Sequence, residues 1–454
     1  MTTGQKKRIE TYLNILKSEP ALYRTVQTLW DTGDTEIKQA VYDTVFAPVL
    51  ISFVEWVLEE AKKRGINRLY FLARDGYQMF QTARALCEAG VADIECRYLY
   101  GSRYAWRMPL FALEGEACLD KLCRGGIDVT FEKVMKRGGL TDAEALTVAE
   151  ELGRKERYRE VLSYNEVMRL KQPLAESKYF LSYVYAHSKE AYKATLGYLK
   201  QEGLFDSTKY AIVDSGWTGS MQQTLQRLLQ QCGVQREIEG FYFGMYEYPK
   251  GIETERYHTF YFSPKDGLKR KVYFSNCLYE AVFSAPHGMT VAYEEKDGCY
   301  IPVLGNTYSL NQTDMEQLTE RLQQFLTTYV SMRGNGTPGV GRTGERRQFV
   351  YRLLRNFMGM PEKEEAEVYG TLLFSDDVTE DFTQEVAVTL TPEEIKNQRF
   401  LNKACIMLGL KKGELHDSAW PEGSIARNGS GVKKARRHAA LYKYILYMRK
   451  ALKK

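Results

Sequence analysis

Two apolar runs in this chain end abruptly in an aspartate and a glycine, and a helical pattern follows each of them. The first is LYFLARDGYQM, in which a buried strand over 69–72 leads to Asp75 and then to a helix that carries Met79. The second, YAIVDSGWTGSMQQTL, leads from a strand at 209–217 through Asp214 into another helix. Strands that alternate with helices are typical of a parallel sheet covered by helices. The fold is therefore expected to be α/β.

The pattern of apolar and charged residues divides the chain into three regions. Two further strands are predicted at 94–102 and 238–246, and a charged helical pattern at about 110–200 is predicted to be inserted between strands of the sheet. The three regions are an N-terminal helical segment (1–35), the α/β core with its insertion (36–305) and a mostly helical C-terminal region (306–454).

The composition indicates a globular protein of the cytoplasm. Hydrophobic residues make up 44% of the 454 residues and charged residues 27%, which is a typical globular profile. No run approaches the roughly 18 apolar residues of a membrane span, and the polar stretch 1–10 predicts no secretory signal. The eight cysteines are scattered without CxxC pairs, which favours reduced thiols over disulfides or a zinc site.

Asp75 follows a predicted strand, and Asp214 lies near the carboxyl end of another. In a parallel sheet the carboxyl ends of the strands lie at one edge, where ligands bind in α/β proteins. Asp75 and Asp214 are therefore candidate catalytic residues that face each other across this edge, as nucleophile, general base or metal ligands. Two carboxyls held close together also differ in pKa, which lets one act as an acid and the other as a base. The alternative role of such an aspartate is to cap the following helix.

The loop between the second aspartate and its helix has the composition of a phosphate-binding loop. Gly216 and Gly219 allow unusual backbone angles and the close approach of a ligand, while Thr218 and Ser220 supply hydroxyl donors. Ser220 also begins the helix, where free N–H groups and the helix dipole favour an anion. We expect these four residues and Trp217 to contact phosphate. The alternative is a hydroxyl that only caps the helix.

Three arginines and one further glycine lie at the same predicted edge. Arg74 precedes Asp75, and the segment YGSRYAWR places Arg103 and Arg107 just beyond the second strand. Guanidinium groups bind phosphate or carboxylate through two parallel hydrogen bonds. We therefore expect these arginines, together with Gly76, to contact the substrate, although each arginine could instead form an ion pair with a nearby acid.

The segment LYEAVFSAPHGMTVAY supplies two more candidate residues. Glu280 lies in a predicted helix that ends near Ser284, because a proline and a glycine follow. His287 then lies in a Pro–His–Gly turn, where it could transfer protons or simply be a surface histidine. We include Glu280 among the substrate-binding residues and His287 among the catalytic ones.

Taken in order, LYFLARDGYQM, VDSGWTGSMQ and EAVFSAPHG resemble the motifs of a bacterial family of predicted hydrolases in the haloacid dehalogenase (HAD) superfamily. That family is associated with surface-polysaccharide biosynthesis, and the resemblance covers about residues 36–295. It implies a Rossmann-like core and a substrate that carries phosphate, such as a sugar phosphate or a nucleotide sugar.

The sequence departs from the superfamily at its first strand. Phosphatases of that superfamily carry Asp-x-Asp there, whereas Asp75 has Ala73 two residues before it and Tyr77 two residues after it. Mg²⁺ is the cofactor implied, with Asp75 and Asp214 as its candidate ligands. The segment FSDDVTED at 374–381 offers further carboxylates.

Three classes of function stay open on these residues. The first is an enzyme, hydrolase or transferase, that acts on a phosphorylated or nucleotide-linked sugar by phosphoryl or glycosyl transfer. The second is a phosphoribosyltransferase-like enzyme, since LARDGY and VDSGWTGS are arranged like the pyrophosphate and ribose-phosphate loops of type I phosphoribosyltransferases. The third is a non-catalytic module that binds a sugar phosphate or an assembly partner.

The C-terminal tail, 432–454, has nine Lys or Arg residues and no acidic residue. Leu441, Ile445, Met448 and Leu452 recur at helical spacing, which predicts an amphipathic helix. Such a helix can pack on its own domain or lie on an anionic membrane surface. No basic stripe with interleaved aromatic residues occurs elsewhere, so a nucleic-acid partner is not expected.

Overall fold

A five-stranded parallel sheet lies at the centre of the protein, in a computed structural model that describes residues 2–31, 35–126, 128–306, 309–333, 342–375, 383–407, 410, 412, 418–429 and 431–452. Its strand order is β2-β1-β3-β4-β5, so the sheet grows in both directions from β1. The predicted α/β class with a parallel sheet is confirmed. The strands are β1 (Arg68–Leu72), β2 (Glu95–Leu99), β3 (Tyr210–Trp217), β4 (Glu239–Met245) and β5 (Tyr257–Phe262).

The sequence patterns did not predict β5. Residues 246–256, which connect β4 to β5, contain no α-helix and only the short 3-10 turn Thr254–Arg256. The alternation of strand and helix that identified the other strands is therefore absent at this point. The parallel pairing of Phe241 with His258 nevertheless extends the sheet by one strand.

Helices cover both faces of the sheet. Alternate side chains of β1 point to opposite faces, so Phe71 joins the core cluster of helix Ala47–Lys63, and Tyr70 joins the cluster of helix Ser220–Gln231. The α-helices of the described residues are Thr3–Leu16, Pro20–Trp30, Ile37–Val41, Ala47–Lys63, Gly76–Glu88, Arg103–Arg107, Phe111–Glu114, Leu119–Leu122, Phe131–Arg137, Asp142–Glu151, Tyr164–Arg169, Lys171–Glu176, Phe180–Gln201, Ser220–Gln231, Leu268–Val272, Asn276–Phe283, Ser309–Arg333, Thr343–Leu354, Lys363–Gly370, Pro392–Asn397, Phe400–Met407, Pro421–Asn428 and Val432–Leu452.

The helices between β2 and β3 have a hydrophobic core of their own. Its buried side chains include Phe131, Val134, Phe180 and Val184, and none of them belongs to the clusters around the sheet. This part of the chain occupies the place of the predicted insertion. It begins directly after β2, beside the carboxyl edge of the sheet.

The N-terminal and C-terminal regions share one core with the sheet. The largest cluster contains Tyr12, Phe71 and Phe357, one from each predicted region. The Arg8 guanidinium pairs with the Glu365 carboxylate at 2.9 Å, and the Tyr12 hydroxyl donates to the same carboxylate at 2.6 Å. These contacts join the first helix to the C-terminal region.

Two short antiparallel pairs were also missed by the sequence patterns. The strands β6 (Thr290–Lys296) and β7 (Cys299–Leu304) form a hairpin, and β8 (Leu373–Phe374) pairs with β9 (Gln384–Glu385). The regular secondary structure of the C-terminal region is helical apart from this last pair, within the residues that the structure describes.

One helical stretch, Ile37–Lys63, is long and apolar enough to cross a membrane by length and composition alone. Polar residues interrupt its apolar ones, so it contains no continuous run of about 18 apolar residues. Its most apolar window is entirely buried within the protein, where it forms the central core helix behind the sheet.

Candidate functional site

A cavity of about 320 Å³ opens at the carboxyl edge of the sheet, beyond the ends of β1 and β3. β1 pairs with β2 on one side and with β3 on the other, so this is the point at which the strand order reverses. Ligands of open α/β sheets bind at such a point. The predicted site residues that line the cavity are Arg74, Asp75, Arg103, Asp214, Gly216, Trp217, Thr218, Ser220 and Glu280.

Two predicted glycines do not line the cavity but shape the backbone beside it. A Cβ on Gly76 would come within 2.9 Å of the Phe71 carbonyl carbon, so this glycine lets the helix after β1 pack closely on the strand. Gly219 has φ +63, and its Cβ would meet Tyr257 at 2.7 Å. Both glycines therefore hold the loops in place.

Arg107 lies behind the site. Burial lowers its pKa to about 10, and the charges of Arg103 and Arg124 act in the same direction. The structure does not place this guanidinium with the residues that line the cavity.

His287 lines a smaller, neighbouring cavity of about 80 Å³, which it shares with Arg74, Asp75 and Glu280. Its Nδ1 lies 2.8 Å from the Gly288 carbonyl oxygen, so this nitrogen must carry the proton. Its Nε2 lies 2.9 Å from the hydroxyl of Tyr98 and accepts from it.

Both ring nitrogens of His287 are thus engaged within the protein. Burial lowers its pKa, and the charge of Arg74 lowers it further, so the ring is neutral near pH 7. His287 does not line the larger cavity with the two aspartates.

The charged form of Asp75 is stabilised by one hydroxyl group and two arginines. The Ser215 hydroxyl donates a hydrogen bond to its Oδ2. Burial raises the pKa of Asp75, whereas the Ser215 hydroxyl and the charges of Arg74 and Arg103 oppose this rise. One partner comes from β3 and the arginines come from the loops after β1 and β2, so three neighbouring strands contribute to one carboxylate.

Asp214 and Glu280 both hold protons near neutral pH. Burial raises the pKa of each to about 8, and the negative charge of Asp75 is the second cause in both cases. The indole N–H of Trp217 donates to the Glu280 carboxyl and partly opposes the shift. The charge of Asp75 favours the protonated forms of the other two, so the site combines a carboxylate that its neighbours stabilise with two carboxyls that can donate protons.

The backbone at the end of β3 adopts angles that few residues tolerate. Gly216 has φ +116, and a Cβ there would lie 2.2 Å from the Gly244 carbonyl oxygen. Trp217 follows with φ +74, which is unfavourable for a bulky side chain. Such conformations persist where the surrounding structure enforces them, and they are frequent at functional sites. Here the conformation accompanies the contact of the indole with Glu280.

One wall of the cavity is electropositive. Helix Ser220–Gln231 begins there, and its first N–H groups have no partner within the helix. Arg103 is exposed at the cavity and makes no hydrogen bond or ion pair with any residue that the structure describes. Its charge nevertheless acts on Asp75, Asp214 and Glu280. This wall suits an anion such as phosphate.

Several residues of the site were missed by sequence reasoning. Ser215 was considered only as a helix cap, although a hydroxyl directly after Asp214 was a visible signal. Ser102 could have been predicted, because it is a polar residue directly before Arg103, at the end of the second predicted strand. Nothing local pointed to the remaining ones, which lie in distant segments. Among the missed residues that line the cavity are Ser102, Ser215, Asn276, Cys277, Phe374 and Ser375.

A metal site formed by protein side chains alone is not visible in the described part of the chain. No group of three or more His, Cys, Asp or Glu side chains there is arranged to hold an ion. The carboxylates of FSDDVTED, Asp376, Asp377 and Asp381, lie outside the described residues. Mg²⁺ commonly takes only one or two protein carboxylates together with substrate phosphate oxygens, and Asp75 and Asp214 fit that pattern in number and chemistry.

Neither the known protein-family models nor the curated proteins contain a match to this chain.

Proposed function

We propose that the chain is a HAD-like enzyme that acts on a phosphorylated or nucleotide-linked sugar, in bacterial surface-polysaccharide metabolism. The observation that carries this proposal is the cavity itself. Asp75, whose charged form is stabilised by the Ser215 hydroxyl and by two arginines, shares one space with Arg103 and with the start of helix Ser220–Gln231. A phosphoryl group bound by the cationic wall would therefore lie beside a nucleophile. The sugar family and the polysaccharide context come from the motif resemblance.

Phosphate binding is assigned to the electropositive wall. The guanidinium of Arg103 would donate to two phosphate oxygens, and the N–H groups at the start of helix Ser220–Gln231 would donate to the third. The hydroxyls of Thr218 and Ser220 lie in the same wall. These donors would withdraw charge from phosphorus and so favour attack on it.

Bond exchange is assigned to Asp75. One of its carboxylate oxygens would attack phosphorus while the bond from phosphorus to the sugar oxygen breaks. Glu280 or Asp214 would give its proton to that leaving oxygen, since both hold a proton near neutral pH. A water molecule would then attack phosphorus, return a proton to the same carboxylate and release phosphate and free Asp75.

Mg²⁺, where it binds, would be held by Asp75 and by Asp214 in its ionised form, which leaves Glu280 as the proton donor, and would neutralise charge on the phosphoryl oxygens. The two carboxyls are close enough for the charge of one to raise the pKa of the other. A cation between them would relieve this repulsion. The chain's own residues then position the substrate and move the proton.

The test is turnover of sugar phosphates and nucleotide sugars, with and without Mg²⁺, by the wild type and by Asp75→Asn. We expect release of phosphate or sugar from the wild type and a loss of at least about 10³-fold in the variant, because the nucleophile is removed. Hydroxylamine added after acid quenching should convert an acyl phosphate at position 75 into a hydroxamate detectable by mass spectrometry. Asp93→Asn, at an exposed aspartate away from the cavity, is the matched control.

The other outcomes separate the alternatives. Binding of a sugar phosphate without turnover under any condition would favour the non-catalytic module. Release of pyrophosphate from phosphoribosyl pyrophosphate would favour the phosphoribosyltransferase-like enzyme. Turnover that Asp75→Asn leaves intact would refute the assigned nucleophile.

A further inference from the structure

The C-terminal helix Val432–Leu452 packs on the rest of the protein through the side that carries Ala435, Lys443 and Tyr447. The Lys443 ammonium lies 2.8 Å from the Glu422 carboxylate, and both side chains are largely buried. The ring of Tyr447 stacks on Tyr246, with 5.5 Å between the ring centroids. These contacts fix which side of the helix faces solvent.

The apolar stripe predicted from the sequence faces outward. Leu441 is 46% exposed, Ile445 39% and Met448 47%, and their spacing places them on one face of the helix. The side chain of Leu452 lies outside the described residues. The helix thus packs on its own domain, as one of the two expectations had it, but it does so without using its apolar stripe.

Cations accompany the exposed stripe. Arg437 and Lys434 lie four and seven residues before Leu441, so they continue the same face toward the start of the helix. The helix contains no acidic residue. Its exposed cations form no ion pair within the described parts of the chain. They are Lys433, Lys434, Arg437, Arg449 and Lys450.

We propose that this outer face binds the surface of an anionic lipid bilayer. Half-exposed aliphatic side chains beside exposed cations are the composition of helices that lie in the membrane interface. The apolar residues would enter the boundary between headgroups and acyl chains, and the cations would pair with lipid phosphates. A second copy of the chain fits less well, because a two-fold contact through this face would place like charges opposite each other.

The first experiment measures sedimentation of the full chain with phosphatidylcholine vesicles and with vesicles of three parts phosphatidylcholine to one part phosphatidylglycerol. We expect binding to the anionic vesicles, weakened by salt. The double variant Lys434→Ala with Arg437→Ala should reduce partitioning roughly 30-fold, because each surface cation contributes about a factor of five. Lys178→Ala with Lys189→Ala, at exposed lysines of the helical insertion, is the charge-matched control and should bind like the wild type.

The second experiment removes the stripe and leaves the charges intact. Leu441→Ser, Ile445→Ser and Met448→Ser together should weaken partitioning by at least about tenfold, because buried apolar area is lost. Leu146→Ser with Val161→Ser, at exposed apolar side chains of the insertion, should have no effect. Unchanged thermal unfolding of the triple variant would show that it is folded.

Three outcomes would overturn the proposal. The first is a wild type that stays in the supernatant with anionic vesicles. The second is equal binding to neutral and anionic vesicles. The third is a wild-type dimer in light scattering that the triple variant converts into a monomer without any effect on vesicle binding, since the face would then be an interface between copies.

Discussion

Replacing Asp214 by asparagine should stabilise the protein at neutral pH, although it impairs the proposed activity. Burial beside the charge of Asp75 raises the pKa of Asp214 to about 8, from its ordinary value of 3.8. The folded state therefore binds one more proton at this position than the unfolded state over the interval between these two pH values. Stability is then lost as pH rises through that interval.

The magnitude follows from the size of the shift. Each pH unit above the unfolded pKa costs about 1.4 kcal/mol until the folded pKa is reached. At pH 7 the full effect is roughly 4 kcal/mol, and the opening of the side chain to the cavity reduces it to about 2 kcal/mol. Asparagine has nearly the same shape as aspartate and carries no charge, so this position no longer contributes to the pH dependence of stability.

The assay is urea-induced unfolding of the wild type and of Asp214→Asn at one-unit steps from pH 5 to pH 9. The difference in free energy of unfolding should grow with pH up to about 8 and then level off. Asp93→Asn, at an exposed aspartate, should leave the pH dependence of the wild type unchanged. Parallel curves for wild type and Asp214→Asn would refute the reasoning, since they would mean that Asp214 titrates alike in both states.

Three other substitutions test the site and the tail helix. Ser215→Ala removes the hydroxyl donor of Asp75, a hydrogen bond that stabilises the carboxylate by about 2 kcal/mol. The pKa of Asp75 should therefore rise, and the acidic limb of the profile of kcat/KM against pH should move to higher pH. Gly216→Ala should destabilise the protein by at least about 2 kcal/mol in urea unfolding, because the new Cβ meets the Gly244 carbonyl oxygen. Lys443→Met leaves its buried glutamate partner without a cation, and hydrogen exchange should show loss of protection in the tail helix, by about 3 kcal/mol.

Local signals in the sequence determined most of the sheet. The four predicted strands match β1 to β4 to within three residues at each end. A short apolar run that ends in polar and glycine residues predicts a strand from local sequence alone, whatever the strand pairs with. The strand β5 was not predicted, because no α-helix separates it from β4. The helix that carries Glu280 ends at Phe283, as the proline and glycine after it predicted.

The sequence also determined which aspartates share a site. Asp75 follows β1 and Asp214 lies in the second half of β3, and parallel strands bring their carboxyl ends to one edge of the sheet. To predict that the two aspartates lie close together, it is enough to assume that their two strands are near each other in the sheet. Arg103 and the loop 216–220 follow from the same rule, because they come directly after strand ends.

Only the tertiary structure decided which side chains of the site contact each other. The order β2-β1-β3 sets Ser215 against Asp75, a contact between residues 140 positions apart. The pairing of Trp217 with Glu280 and the engagement of His287 by Tyr98 depend likewise on packing between distant segments. Burial in this packing raises the pKa values of Asp75, Asp214 and Glu280, and the hydrogen bonds from Ser215 and Trp217 oppose the rise at Asp75 and Glu280.

The orientation of the tail helix is the clearest case in which periodicity was insufficient. The spacing of Leu441, Ile445 and Met448 defines an apolar face, but it does not say whether that face is buried. The buried ion pair of Lys443 and the stacking of Tyr447 hold the opposite face against the protein. Periodicity records which residues share a face, whereas the surface on which the helix packs is decided by the partners that other parts of the chain bring to it.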